Sequence, residues 1–195
     1  MRTAYVVMDL VNDLVHEAGP NGADLGKEAA RRGVIANTAL ALERARAAKA
    51  LVGFVRVGFD PLGGYADCSK TSPLFSGIAK YGILKLGTWG TELHEGIDRR
   101  PGELDIVKQR VSPFHATHLE AVLRANAVER LVLSGVSTNF VVNSGVREGH
   151  DRDYEVVVLQ DCCSAGSQAE HDRALESFAP LCKEISTAAA VAFGT

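Results

Sequence analysis

Short runs of branched apolar residues recur along the chain and alternate with longer segments in which apolar residues return every three or four positions. The short runs are too brief for helices, and their composition is typical of strands buried on both faces of a sheet. They predict six strands, at residues 5–8, 51–57, 104–107, 131–133, 154–159 and around 185. The longer segments predict helices at about 27–50, 117–126, the stretch leading up to 147, and 167–178.

The alternation of strand and helix predicts one α/β domain over residues 1–195, a doubly wound six-stranded parallel sheet with helices on both faces. A length of 195 residues suits one domain with a sizeable core, and 46% hydrophobic with 23% charged residues is ordinary globular composition. No internal repeat or domain boundary interrupts this pattern. The sequence therefore favours a single compact unit.

Charge and apolar content exclude several classes of partner. A formal net charge of -3 gives no reason to expect nucleic acid or an anionic membrane as a partner. No apolar run approaches the ~20 residues that span a bilayer, and the first residues, MRTAYVVMDL, lack the features of a signal peptide. Four cysteines without zinc-ligand spacing make neither a disulfide framework nor a zinc site. We therefore expect a cytoplasmic protein.

Polar residues follow three of the predicted strands directly. Asp9 follows the first strand, Lys108 the third, and the turn 135–139 the fourth. The carboxyl ends of parallel strands open onto one crevice, so these groups are expected to meet there. A carboxylate beside an ammonium can act as acid or base, and backbone N–H groups of a turn can hold an oxyanion. Asp9 could instead cap a turn or helix.

Residues 58–103 are irregular and rich in glycine. A connection of this length in a compact domain is often a lid or a wall of the substrate site. Its aromatic residues could line a pocket or form a small core beneath the loop, and they are Phe59, Tyr65, Phe75, Tyr81 and Trp89.

Three further segments carry a resemblance to a known family: VVMDLVNDLV, then DIVKQRVSPFHATHLEAVLR, then LVLSGVSTNFVVNSGVREGHDRDYEVVVLQDCCSA. With their spacing they cover nearly the whole chain. The chain resembles the isochorismatase-like hydrolases, or cysteine hydrolases, which include nicotinamidases, carbamoylsarcosine amidases and isochorismatases. The resemblance implies a six-stranded α/β sheet, a small-molecule substrate, and an Asp–Lys–Cys triad in the amidases. It also implies a homo-oligomer, a dimer or a tetramer.

Carried onto this sequence, the resemblance gives Asp9 the role of general acid/base and makes Lys108 the triad lysine. It places a cis peptide bond between Val136 and Ser137, and the oxyanion donors at the N–H groups of Ser137 and Val141, in the turn that also holds Thr138. Further candidates for substrate contact, each with a structural alternative, are Asn12, Trp89, Arg110, Phe114 and His115.

Val141 departs from the family pattern, since it occupies the position of the amidases' nucleophilic cysteine. Valine cannot attack a carbonyl, so the covalent mechanism does not carry over to this position. Possible substitutes are Ser137, Thr138, Ser144, Cys162 and Cys163. Each of these is better explained by structural hydrogen bonds or by burial as a small side chain.

A second departure concerns metal. Nicotinamidases bind a metal through Asp and His residues after strand two, where this chain reads VRVGFDPLGG without a histidine. The sequence therefore predicts no metal and no cofactor, and it argues against nicotinamide as the substrate.

Two interpretations remain. In the first, Asp9 and Lys108 assist hydrolysis of a vinyl ether or a C–N bond by water, without a covalent intermediate. In the second, the chain is a catalytically impaired member that binds a small ligand or a partner. A variant of this second interpretation is a cysteine amidase whose nucleophile was deliberately replaced by Val141 to trap its substrate.

Overall fold

The computed structural model describes residues 1–194 and contains one sheet of six parallel strands, in the order β3-β2-β1-β4-β5-β6. The strands are β1 (Arg2–Met8), β2 (Leu51–Val57), β3 (Leu104–Lys108), β4 (Val128–Val136), β5 (Glu155–Ser164) and β6 (Glu184–Ser186). The chain winds outward from β1 toward one edge and then from β4 toward the other. The doubly wound parallel sheet predicted from the sequence is therefore confirmed.

Seven α-helices lie within the described residues: α1 (Asn12–Val15), α2 (Lys27–Arg31), α3 (Val34–Ala47), α4 (Ile78–Tyr81), α5 (Leu119–Ala125), α6 (Asn143–His150) and α7 (Gln168–Phe178). The single helix predicted for 27–50 is wrong, because Gly33 takes the left-handed conformation (φ 67°) and separates α2 from α3. A π-helical turn, Thr138–Val142, precedes α6. None of the helices in residues 1–194 has the length and apolar character needed to cross a bilayer.

Alternate residues of β1 point into two separate cores, as strand geometry requires. Val6 and Met8 face a core shared with α5, α6 and α7. Tyr5 and Val7 face a second core, to which α3 contributes Leu42. Helices therefore cover both faces of the sheet, and the carboxyl ends of the strands remain free to carry polar groups.

The loop 58–103 has a small core of its own. Phe59 and Phe75 are buried there at a ring-centroid distance of 5.7 Å, and Tyr65 packs against the same cluster. The Asp13 carboxylate of α1 anchors the loop by accepting the backbone N–H of Leu84 at 2.6 Å. These three aromatic residues therefore form the small core expected beneath the loop, and Phe75 in addition lines a cavity, as the other interpretation expected.

Candidate active site

The carboxyl ends of β1, β2 and β3 assemble a buried ion pair. Asp9 and Lys108 approach to 2.8 Å (Oδ2 to Nζ), and their side chains are only 5% and 2% exposed. The other carboxylate oxygen of Asp9 accepts the backbone N–H of Val57 at 2.7 Å. The ammonium of Lys108 also donates to the carbonyl of Arg110 at 2.9 Å. Both charged groups are therefore held by backbone atoms as well as by each other.

The environment of Asp9 favours proton exchange. Burial raises the pKa of the Asp9 carboxyl above its ordinary value, while attraction to Lys108 and hydrogen bonds from Lys108 and the Val57 N–H oppose that rise. A carboxyl whose pKa is raised by burial can hold a proton nearer to neutral pH than an exposed aspartate can. The cationic partner keeps the ionised form accessible.

Asp9 and Lys108 open onto a cavity of about 250 Å³ at this edge of the sheet. The same cavity is lined by Val136, Ser137 and Val141 from the turn after β4, and the peptide bond between Val136 and Ser137 is cis, as predicted. Val141 is 2% exposed, so its side chain forms part of a closed wall. The three strand ends singled out in the sequence do meet at one place.

Thr138, from the same turn, does not line the cavity. Its hydroxyl lies 2.8 Å from Nδ1 of His171, and Nε2 of that ring lies 2.8 Å from the guanidinium of Arg32. Because Arg32 can only donate, Nε2 accepts and the ring proton lies on Nδ1, pointing at Thr138. Burial and the nearby Arg32 lower the pKa of His171 to about 4. His171 therefore cannot act as a base toward the Thr138 hydroxyl.

No motif in the sequence marks this network of Thr138, His171 and Arg32. His171 lies on α7 and Arg32 in the break before α3, both far along the chain from Thr138. Arg32 also donates to the carbonyls of Gln160 and Cys163 on β5, at 2.9 Å each. The network ties the turn 138–142 to the end of the neighbouring strand.

Three of the five further candidates for substrate contact, Asn12, Trp89 and Arg110, do not line the cavity. The amide of Asn12 is buried and donates to the Trp89 carbonyl at 2.9 Å. Trp89 itself is 45% exposed and meets the His16 ring edge-on at 5.0 Å. The Arg110 guanidinium donates to the carbonyls of Asp67 and Gln109, at 2.9 and 2.6 Å. The side chains of Asn12 and Arg110 are therefore engaged by backbone carbonyls, and none of the three residues lines the cavity.

The last two candidates also lie outside the wall. Phe114 is buried in the core beside α5 and stacks against Tyr154, with ring centroids 6.4 Å apart. His115 is exposed to solvent. None of the five candidates is therefore among the residues that line the cavity, and their contact with substrate stays a prediction.

Among the substitute nucleophiles weighed above, Ser137 lies in the cavity wall and the others do not. Cys163 and Cys162 are buried in the two opposite cores of the sheet. Burial raises the pKa of Cys163 to about 12 and that of Cys162 further still, so neither is a thiolate at neutral pH. Ser144 lies on α6, outside the wall.

Apolar side chains from distant segments complete the cavity, and no sequence motif marks them. They are Leu14, Leu25, Leu74, Phe75, Ile78, Ile83, Leu84, Val111 and Phe140, together with Val57. Within residues 1–194 no group of three or more His, Cys, Asp or Glu side chains is placed to hold a metal ion. A site without metal stays a prediction.

Comparison with known proteins decides the family. The family described as Isochorismatase domain matches residues 3–190 of the chain. This chain belongs to the isochorismatase family. A relative from Methylorubrum extorquens, named ureidoacrylate amidohydrolase RutB, is 30% identical over 96% of this isochorismatase-family chain and 80% of its own length. The protein of the same name from Methylobacterium radiotolerans is 33% identical over 80% of this chain and 65% of its own length.

Solved structures agree with this family. A cysteine hydrolase from Pseudomonas syringae superimposes with a TM-score of 0.83 at 25% identity, covering 96% of this chain and 89% of that one. An isochorismatase family protein from Burkholderia thailandensis gives a TM-score of 0.77 at 28% identity, covering 96% and 92%. An N-carbamoylsarcosine amidase from Thermoplasma acidophilum, at 22% identity and a TM-score of 0.77 over the full length of both chains, shares the fold. The isochorismatase-like hydrolase fold is therefore established.

Proposed function

We propose that this chain hydrolyses a C–N bond of a small molecule in the cavity, with water in place of a covalent nucleophile. The observation that carries the proposal is the buried Asp9–Lys108 pair, which shares one cavity with Val141. The relatives' name, ureidoacrylate amidohydrolase, supports C–N cleavage. A vinyl ether is the alternative substrate, because a protonated Asp9 can also serve its cleavage.

In the proposed reaction Asp9 acts first as base and then as acid. The oxygen of a water molecule bonds to the carbonyl carbon while Asp9 takes one of its protons. The C–N bond then breaks, and Asp9 gives that proton to the leaving nitrogen. Lys108 stabilises the carboxylate before and after the transfer, and the N–H groups of Ser137 and Val141 stabilise the oxyanion.

The second candidate function is binding of a small ligand without turnover. It is favoured by Val141, whose side chain offers no nucleophilic atom in the wall. In this case Asp9 and Lys108 would serve as a polar anchor for the ligand.

The test is a product assay on the purified chain, offered small amides, ureides and isochorismate, with ammonia and pyruvate followed separately. We expect ammonia release, and we expect Asp9→Asn to lower it by at least about 100-fold, because general acid–base catalysis contributes on that order. Asp9→Asn keeps the size of the side chain, and circular dichroism checks that the fold is retained. An unchanged rate in Asp9→Asn would remove Asp9 from the mechanism.

Ser137→Ala separates water from a serine nucleophile. We expect less than about fivefold loss in this variant, because the N–H of residue 137, and not its hydroxyl, is the proposed oxyanion donor. Complete loss with an intact fold would instead identify Ser137 as a covalent nucleophile. Ligand binding without any product in the unmodified chain would favour the second candidate function.

We also propose that the chain works as a homo-oligomer in the cytoplasm, as its family resemblance implies. Light scattering coupled to size-exclusion chromatography would give the oligomeric state.

A further inference from the structure

The cavity beside Asp9 and Lys108 is walled mostly by apolar side chains. Besides that ion pair, the polar side chains in its wall are Asn21 and Ser137. We infer that the substrate is an uncharged molecule with an aliphatic or aromatic acyl group, and not a carboxylate. This inference rests on the proposed function, because it names the substrate class of the same cavity.

The charges in the wall support this substrate class. Lys108 is the one cationic side chain lining the cavity in residues 1–194, and its charge is balanced by Asp9 at 2.8 Å. Two of its N–H groups are used, by Asp9 and by the Arg110 carbonyl. A substrate carboxylate would enter a pair of zero net charge and add an unbalanced negative charge beside Asp9. Burying such a charge without a partner is costly.

The next cationic residue after Lys108 in the sequence, Arg110, does not line the cavity. Arg110 follows β3 closely, but its guanidinium is held by the carbonyls of Asp67 and Gln109. It contributes only its own carbonyl, which accepts from Lys108. No guanidinium of the described chain is therefore in position to form the paired hydrogen bonds that recognise a carboxylate.

The lack, within residues 1–194, of an unpaired cation in the cavity wall argues against the substrate in its relatives' name as the substrate of this chain. Ureidoacrylate carries a carboxylate, and isochorismate carries two. The volume of about 250 Å³ lies just below the range of roughly 300–1,000 Å³ that is common for ligand pockets, so we expect a small substrate. Small neutral carboxamides and acyl ureas with apolar acyl groups fit both limits.

The test uses two amides of similar shape, of which one is uncharged and the other carries a carboxylate. Isocaproamide and succinamate differ only in that the isopropyl group of the first is a carboxylate in the second. Binding is measured by titration calorimetry and turnover by ammonia release. We expect isocaproamide to bind at least about tenfold more tightly than succinamate, which is a difference of about 1.4 kcal/mol.

A charge placed at the cavity mouth gives a matched pair of variants. Leu74 lines the cavity and is 47% exposed, so arginine can be accommodated there, while Leu62 is 95% exposed and does not line it. We expect Leu74→Arg to shift the preference toward succinamate by about tenfold and Leu62→Arg to leave it unchanged. An equal shift in both variants would mean that the cavity wall does not set the preference, and would overturn the inference.

The outcomes distinguish this inference from the proposed function. Binding of isocaproamide without ammonia release would support the substrate class and overturn the hydrolysis. Ammonia release with preference for succinamate would support hydrolysis and overturn the substrate class. Binding of neither amide, in the unmodified chain and in Leu74→Arg alike, would overturn the substrate class.

Discussion

At position 141 a valine side chain forms part of the wall beside a buried carboxylate and a buried ammonium. The cysteines of the chain lie elsewhere, with Cys68, Cys162 and Cys163 buried and Cys182 half-buried. Burial raises the pKa of the Cys182 thiol to about 11, so even this more accessible group is protonated at neutral pH. The cavity beside Asp9 and Lys108 is therefore lined by no reactive thiol of the described chain.

Iodoacetamide is expected to leave the ammonia-releasing activity unchanged, because its only accessible target, Cys182, lies outside the cavity. Val141→Cys is expected to become sensitive, losing activity as the new thiol in the wall is alkylated. The measurement is residual activity against time, with and without substrate.

Cys182→Ser serves as the control in the alkylation experiment, since it removes the half-buried thiol without touching the cavity. Rapid loss of activity in the unmodified chain, prevented by substrate, would show that a native cysteine reaches the site. That result would contradict the water mechanism proposed above.

At the scale of elements, the close approach of β4 to β1 places the turn 135–139 against Asp9. Gly135 lies at the end of β4 with φ 132°, and a Cβ atom there would collide with the carbonyl oxygen of Met8. Only glycine permits this approach of two backbones. The glycine is therefore part of how the sheet positions Ser137 and Val141.

Gly135→Ala is expected to destabilise the fold by about 3 kcal/mol or more, because both the φ angle and the contact oppose a Cβ atom. Gly82→Ala is the matched control, since Gly82 also has a positive φ (64°) but nothing within 4 Å of its would-be Cβ. It is expected to cost about 1 kcal/mol. Urea unfolding monitored by circular dichroism measures both, and equal losses would show that the Met8 contact is relieved by a small shift.

The hydrogen bond between α7 and the turn 138–142 is made by a titratable side chain, that of His171. His171 is neutral in the folded chain because burial and Arg32 lower its pKa to about 4, against about 6.5 in an unfolded chain. Between these values the unfolded chain binds more protons than the folded one, so stability rises with pH. The contribution of His171 is complete above about pH 6.5 and is lost as the pH falls toward about 4.

His171→Gln is expected to flatten this part of the stability profile by about 1–3 kcal/mol, since glutamine can still accept from Arg32 and donate to Thr138 but does not titrate. The measurement is the free energy of unfolding in urea from pH 4 to pH 7 for both proteins. Parallel profiles would mean that the histidine carries its proton in the folded state, contrary to its contacts.

At the scale of the whole molecule, the pattern of apolar residues was sufficient for the architecture. Branched apolar runs predicted the positions of the strands, and alternation with helices predicted that they are parallel. The predicted ends of the strands were less accurate where polar residues interrupt a strand. Strand β5 continues past residue 159 to Ser164, through Gln160 and Asp161. The Asp161 side chain finds a partner outside the strand, since its carboxylate accepts the Ala188 N–H at 2.9 Å.

Some residues of the site could likewise be predicted from the sequence, and others could not. Asp9, Lys108 and the turn after β4 could be predicted, because each lies at or just after the carboxyl end of a strand, and parallel strands deliver their ends to one edge. Arg110 could not be judged from its position, since its guanidinium donates to the carbonyl of Asp67, on a loop 43 residues earlier in the chain. Nor could Thr138, whose partner His171 is 33 residues away.

The sequence by itself therefore determined the parallel sheet, the meeting of Asp9 with Lys108, and the absence of a nucleophilic atom at position 141. These properties follow from local periodicity and from residue identity. Only the tertiary structure decided that hydrocarbon from α1, the loop 58–103 and the turn 138–142 closes the cavity, and that Lys108 is its sole cation within residues 1–194. The physical reason is that a wall is made of side chains distant in sequence, whose directions are fixed by packing and by hydrogen bonds to remote backbone atoms.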